Sequence, residues 1–298
     1  MTRTARRADA GASRAGGGLV PVLVVAVVLA ALYVPLMVLA NYGPAQRALS
    51  RGVVMPCGTA LECTFHLRSP VVPSPAQLAR GFANLFWPPL TETAVPYNAL
   101  VTGLETVVGL ALAAVVGLAF AVLLVASRAF EKAVLPWLVA SQTVPIIAIA
   151  PMLAVILGAY GVAGWVPKAI IAAYIAFFPI SIGVAKGLRS PESQQLDLMR
   201  SYNASAAQTF LKLRFPSSLP YLFTAFKVSM AAALIGSIVA ETSVVSFAGL
   251  GKMLAENSRA SDAVGLWVVM IGCALLGIGL VALVGRLERL VSPWRRAR

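Results

Sequence analysis

The chain has 298 residues, 59% of them hydrophobic and only 12% charged, with a mean hydropathy of +0.84. Soluble domains carry about 25% charged residues, so a soluble globular fold is excluded and an all-α integral membrane protein is predicted. The formal net charge of +13 would suit a nucleic-acid partner, but its distribution along the chain gives it another cause.

Apolar runs set against the roughly 20 residues of one bilayer crossing give six predicted transmembrane helices. The first, Leu19–Ala40, follows an Arg-rich stretch and exceeds the apolar core of a signal peptide, about 7–15 residues; no small-x-small cleavage site follows, so it reads as a retained helix. The others are Ala99–Ala126, Ala133–Ala159, Trp165–Ala185, Tyr221–Phe247 and Ala263–Val284. Pro145 and Pro151 fall within the third, which a helix bundle tolerates because neighbouring helices satisfy the freed backbone groups.

Basic residues set the orientation. With the N-terminus inside, the inner segments 1–18, 127–132, 186–220 and 285–298 hold most of the Lys and Arg, including Arg3, Arg6, Arg7, Lys186, Arg189, Arg200, Lys212, Arg214, Arg295, Arg296 and Arg298. The outer segments hold Arg47, Arg51, Arg68, Arg80, Lys252 and Arg259. Both termini are therefore expected in the cytoplasm, and topology rather than nucleic acid explains the charge.

The outer connection 41–98 is Pro-rich and carries Cys57 and Cys63, which would close a small disulfide loop on an oxidising face or stay free thiols on a reducing one. His66, the sole histidine, reads as a loop residue, since a zinc site would lack a fourth ligand and the usual spacing. Ala76–Phe86 has the pattern of a short interfacial helix with Trp87 at headgroup level. No catalytic constellation, metal site or Gly-x-x-x-x-Gly-Lys-Ser/Thr phosphate loop occurs, so no cofactor is expected on this chain and it is not expected to hydrolyse ATP by that route. Glu105, Lys168 and Glu241 fall within the apolar segments. Such groups mark a pathway or a paired structural site; both readings stay open for Glu241, and the structural one is favoured for Lys168.

One polar stretch, Asp197–Pro220, lies between two membrane segments. Ser193 is the predicted N-cap of a helix over Gln195–Tyr202, which Asn203 ends in a left-handed turn. Ser205 caps a second helix, Ala206–Leu213, expected to stop at Pro216. The two form a knob whose Tyr202, Phe210 and Phe215 are suited to wedge into a partner's groove.

This stretch resembles the EAA loop of binding-protein-dependent ABC importer permeases: Glu-Ala-Ala, three residues, Gly, then Leu-Pro about a dozen residues later. Asp197 takes the Glu position, Leu198 and Met199 the Ala positions, Asn203 the Gly position and Phe215-Pro216 the Leu-Pro position. Asp keeps the carboxylate, and Asn is the next residue after Gly to accept the left-handed turn. Pro73-Ser74-Pro75, Pro145-x5-Pro151, Phe177-Phe178-Pro179, Arg200-Ser201-Tyr202, Ile238-Val239-Ala240-Glu241 and Gly249-Leu250-Gly251 look like the nitrate/sulfonate/taurine branch, which also includes permeases for pyrimidine-like vitamin precursors and riboflavin. The similarity runs from about residue 70 to the C-terminus.

The resemblance implies a type I ABC importer transmembrane domain with cytoplasmic coupling helices, in a bacterial inner membrane. Residues 1–18 would be a cytoplasmic tail, 19–98 the first helix and outer loop, 99–284 the permease core with a coupling loop at 193–219, and 285–298 a second cytoplasmic tail. It further implies an ABC ATPase that carries the ATP and Mg, a second permease copy and an extracytoplasmic solute-binding protein. Asp197, Arg200, Ser201, Tyr202, Asn203, Ala204, Ser205, Phe210 and Pro216 would then serve ATPase coupling. By helix position alone, Met152, Phe177, Phe178, Ser229, Ser237 and Glu241 are assigned to the pathway wall. The solute would be sulfonate-, nitrate- or taurine-like, or pyrimidine- or riboflavin-like. The scarcity of Lys and Arg in the deep segments tilts the reading toward a neutral or weakly charged heterocycle. An ion-coupled secondary transporter is the alternative, although no internal repeat is visible.

Overall fold

A computed structural model describes residues 9–54, 56–162, 164–243 and 246–292; Arg3, Arg6, Arg7, Arg295, Arg296 and Arg298 lie outside them. Among the described residues every regular element is helical. Five helices among these residues are long and apolar enough to cross a membrane, or six when one bent pair counts as a single span. The chain divides into two units, residues 1–83 with 261–267, and residues 84–260 with 268–298.

The first unit is built on α1 (Asp9–Ser50), longer than the predicted Leu19–Ala40: the helix runs on through Gly43 and Pro44 as far as Ser50. At 1.5 Å per residue it extends about 63 Å, twice the thickness of a hydrocarbon core. A single buried side chain organises the segment that follows. Asn41 donates from Nδ2 to Thr64 O at 3.3 Å and Val72 O at 2.7 Å, and its Oδ1 accepts from Val71 N at 2.9 Å and Val72 N at 3.2 Å. All four of its hydrogen-bonding positions are used, which offsets the cost of burying an amide. Tyr33 Oη adds a bond to Pro73 O at 2.6 Å. Cys57 and Cys63 are disulfide-bonded, with Cα atoms 5.3 Å apart, and enclose the start of α2 (Ala60–Cys63), which Thr59 caps. α3 (Pro75–Phe86) starts at a reciprocal pair in which Ser74 N donates to Gln77 Oε1 at 2.8 Å.

The second unit is a bundle of α4 (Val95–Ala126), α5 (Arg128–Ser141), α6 (Ile146–Ala159), α7 (Val166–Leu188), α10 (Phe215–Ser243) and α12 (Ala263–Val291, from Val268 on). The predicted single helix Ala133–Ala159 is incorrect: α5 and α6 meet at 99°. Pro145 has no N–H to continue the ladder and biases Val144 away from helical geometry. Gln142 and Thr143 accordingly close three-residue turns onto Val139 and Ala140. The predicted Tyr221–Phe247 also shifts, since α10 begins at Phe215 and its described part ends at Ser243, leaving Phe247 exposed.

Small residues let the central helices touch. A Cβ on Gly117 of α4 would stand 2.8 Å from Ile180 Cβ and 3.0 Å from Phe177 O of α7, and one on Gly183 of α7 would stand 2.7 Å from Ala225 Cβ of α10. Lipid tails are as apolar as any side chain, so close backbone approach, rather than expulsion of water, drives such contacts. Around them packs a core that includes Ala113, Ala121, Ala172, Ala176, Ile180, Val184, Ala233 and Leu234. Gly117→Val should therefore force α4 from α7 and lower stability by about 1–3 kcal/mol. Gly158→Ala, with nothing within 4 Å of its new Cβ, should leave the thermal unfolding midpoint in detergent unchanged.

Candidate functional site

Two polar structures occupy opposite ends of α7 and α10. At one end the chain leaves the bundle after Leu188 and re-enters at Phe215, and between them lies the knob. α8 (Ser193–Ser201) is capped by Glu192 rather than the predicted Ser193: Gln195 Oε1 accepts from Glu192 N at 3.2 Å. A carboxylate next to the first turn also complements the helix dipole. The helix stops where predicted. Asn203 has φ 51°, Asn203 N donates to Arg200 O at 2.8 Å, and Ala204 N reaches Met199 O at 3.0 Å, the paired bonds of a Schellman turn.

α9 (Ala206–Thr209) follows at once. Ser205 Oγ accepts from Gln208 N at 3.2 Å, and Gln208 Oε1 accepts from Ser205 N at 2.9 Å. Pro216 does not end this helix, contrary to the sequence prediction. A π turn over Phe210–Arg214, closed by Phe215 N–H on Phe210 O, widens the helix ahead of the proline. A proline in the first turn needs no donor, so α10 continues from there.

Of the predicted coupling residues, Asp197, Arg200, Ser201, Tyr202, Asn203, Ala204 and Ser205 converge on this knob. Tyr202 is 77% exposed, and Leu198 and Leu211, which the sequence reading passed over as partner contacts, are exposed beside it. Asp197 and Arg200 pair at 2.9 Å on the surface, where such a contact contributes little. Phe210 is the exception, because it packs back against the bundle core instead of standing free to wedge into a partner. The knob is tied down at its root. Arg189 donates to both oxygens of Glu131 at 2.7 and 2.8 Å and to Leu124 O at 2.7 Å. These bonds raise the Arg189 pKa above its ordinary value, so the guanidinium stays charged and committed. Arg214 donates to Leu188 O at 3.3 Å. Only a fold that brings 131 beside 189 reveals this brace.

At the other end, Lys168 Nζ donates to Glu105 Oε1 at 2.6 Å and to Ser246 Oγ at 2.9 Å, with both charged side chains enclosed. Glu241 accepts from Thr102 Oγ1 at 2.7 Å and from Gly251 N at 2.6 Å. Asn98 Oδ1 accepts from Gly249 N at 2.7 Å and Thr102 Oγ1 from Leu250 N at 2.9 Å. Three successive N–H groups, at the entry to α11 (Leu250–Arg259), are thus each received by a buried side chain. This explains Gly249-Leu250-Gly251: Gly249 has φ +129° and a Cβ there would overlap the Glu241 carboxylate, while a Cβ on Gly251 would meet Glu241 Cβ at 2.7 Å. The motif is a loop anchor. Position within apolar segments pointed to the buried charges, but not to their partners.

The residues assigned to the pathway separate in the structure. Ser229, Ser237 and Glu241 are enclosed, with Ser237 Oγ 3.1 Å from Thr106 Oγ1. Phe177 and Phe178 pack against the core, and Met152 is 56% exposed on α6.

The chain matches the family model described as binding-protein-dependent transport system inner membrane component over residues 84–297, the start coinciding with that of the second unit. It is 34% identical over 189 residues to the formylaminopyrimidine transport permease protein of Halalkalibacterium halodurans, covering 63% of this chain and 74% of that protein. It is 32% identical over 167 residues to the riboflavin transport system permease protein of Chloroflexus aurantiacus, covering 56% and 60%. A nitrate import permease protein of a Synechocystis species is 26% identical over 228 residues, 74% of this chain and 81% of that one. In fold the chain is similar to a methionine ABC transporter in an inward-facing conformation, with TM-score 0.57 and 19% identity over 65% of this chain and 94% of that one.

Breaking one partner of a buried ion pair leaves an uncompensated charge, at a cost of about 3–5 kcal/mol. Lys168→Met should therefore lower the thermal midpoint sharply, and Glu105→Leu/Lys168→Met should recover most of the loss. Equal midpoints for the single variant and the wild type would show that the pair is not buried in the folded protein.

Proposed function

The chain belongs to the family of binding-protein-dependent transport system inner membrane components, and from that premise we propose that two copies of it form the membrane path of an ATP-driven importer. The chain is a multi-pass permease subunit of an ABC importer for a small solute and not the enzyme that hydrolyses ATP. In our reading ATP and Mg act in separate ATPase subunits, and a binding protein outside the cell delivers the solute. The membrane is a bacterial inner membrane with both chain termini and the knob in the cytoplasm, supported by the bias of Lys and Arg.

The observation that carries this reading is the construction of residues 192–215. A short element capped at both helix starts, closed by a left-handed turn and braced to the bundle by Arg189 and Arg214, can pass a push to α7 and α10 without deforming. Coupling requires such rigidity, because a switch moves packed bodies between discrete arrangements. Tyr202 is the aromatic anchor for the ATPase, with Leu198 and Leu211 as flanking apolar contacts. On the solute side, Met152, Phe177 and Phe178 are our assignments to the pathway wall, while the hydrogen bonds of Glu241 favour a structural role over solute contact.

The solute is a neutral or weakly charged heterocycle of the pyrimidine or flavin kind. Lys168 is neutralised by Glu105 and Lys227 is paired with Glu288, which leaves little to attract a small anion within the bundle. The formylaminopyrimidine and riboflavin permeases point the same way.

The test is reconstitution with the candidate ATPase. Proline cannot adopt the positive φ of Asn203, so Asn203→Pro should abolish ATPase co-purification while membrane insertion stays normal. Tyr202→Ala should weaken it by about 2 kcal/mol, the scale of an aromatic anchor. Undiminished association in both variants would reject the knob as the coupling element.

A further inference from the structure

Two grooves flank the root of the knob and share Lys186 and Tyr221. One, of about 440 Å³, is walled by Leu135, Ile182 and Ala185. The other, of about 580 Å³, is walled by Pro179, Gly183, Thr224 and Val228. Lys186 stands on the last turn of α7 and Tyr221 on the second turn of α10, where the helices nearly touch: a Cβ on Gly187 would lie 2.7 Å from Tyr221 Cβ.

The charges around this point are unevenly satisfied. Glu131, the carboxylate that lines the first groove, is engaged on both oxygens by Arg189. Arg214 nearby is bound to a carbonyl rather than to a carboxylate. Lys186 is exposed and, among the described residues, has no carboxylate within ion-pair distance. An uncompensated ammonium thus sits at the mouth of two largely apolar grooves, at the end of a membrane-spanning helix.

We propose that this is a binding site for an anionic phospholipid. The phosphate would meet the Lys186 ammonium and the Tyr221 hydroxyl, and an acyl chain would lie in each groove. A free anion would use the charge but leave the apolar walls in water, and a zwitterionic lipid would bring its own cation against Lys186. Basic pockets between helices at the membrane surface recognise acidic headgroups in this way. Lys186 and Tyr221 bracket the chain segment that forms the knob, so an occupied site would clamp its root and make coupling depend on lipid composition. The binding step is independent of what the knob touches.

Native mass spectrometry of the full chain in mild detergent tests it, with phosphatidylglycerol and phosphatidylcholine of identical acyl chains as probes. Phosphatidylglycerol should bind about fivefold more tightly, the contribution of one Lys near an anionic surface. Lys186→Gln should remove the preference, Lys186→Arg should retain it, and inorganic phosphate should not displace the lipid. Thr224→Phe, which fills the larger groove, should weaken both lipids and decides the matter if Lys186→Gln cannot be purified. Equal binding of the two lipids, a preference that survives Lys186→Gln, displacement by inorganic phosphate, or unchanged binding in Thr224→Phe would each overturn the proposal.

Discussion

The close crossing of α7 and α10 is the contact on which the rest of the second unit depends. At Gly183 and Gly187 the backbone of α7 comes so near Ala225 and Tyr221 that no side chain fits between. In a bilayer, where apolar expulsion does not press helices together, contact of this kind is the main source of association. It has a mechanical consequence, because the chain leaves one member of the pair as the knob and returns as the other. The knob is therefore not a flexible loop hung from two independent helices. It is the closed end of a single packed unit, and the Arg189–Glu131 contact extends that unit to α5.

The far end of the same two helices is held by polar groups instead of small ones. Lys168 at the start of α7 binds Glu105 of α4, and Glu241 near the end of α10 binds α4 through Thr102. These interactions would be costly if any member lacked its partner, but here each charged group faces a hydrogen-bonding counterpart. The same carboxylate also receives the N–H of Gly251, and Asn98 that of Gly249, so the entry to α11 is fixed to the bundle. A small-residue seam and a polar clasp on one helix pair would let movement of the knob tilt the pair as a body.

Much of this was legible from local chemistry. Asn203, Ser205 and the spacing of Asp197 to Phe215-Pro216 were enough to place the knob, because caps and left-handed turns depend on residues within a few positions. The errors lie where two local rules competed. Pro145 lies in an apolar run and Pro216 in the polar stretch, yet the first breaks a span and the second is absorbed by a π turn. Proline removes one donor in each case, and tertiary packing decides whether the ladder bends or widens. Long-range pairs were out of reach altogether. Nothing near Glu241 in the sequence announces Thr102, 139 positions away, and Gly249-Leu250-Gly251 acquires its meaning only when Asn98, Thr102 and Glu241 stand around it. Phe210 was misplaced for the same reason, since an aromatic residue on a short polar helix can turn toward a partner or toward its own bundle.

Charge follows a related division. Within the bundle Lys168 has a carboxylate partner, whereas Lys186, at the end of α7, has none among the described residues. An ammonium in the apolar interior cannot persist without a counter-charge, but one at the surface can draw its counter-charge from the headgroups. On the proposed function, the path for a solute would be electrostatically quiet, with the attractive charge kept where α7 meets the bilayer surface. A permease organised this way would leave selectivity to the protein that delivers the solute, and its own walls would need only to be shaped, not charged.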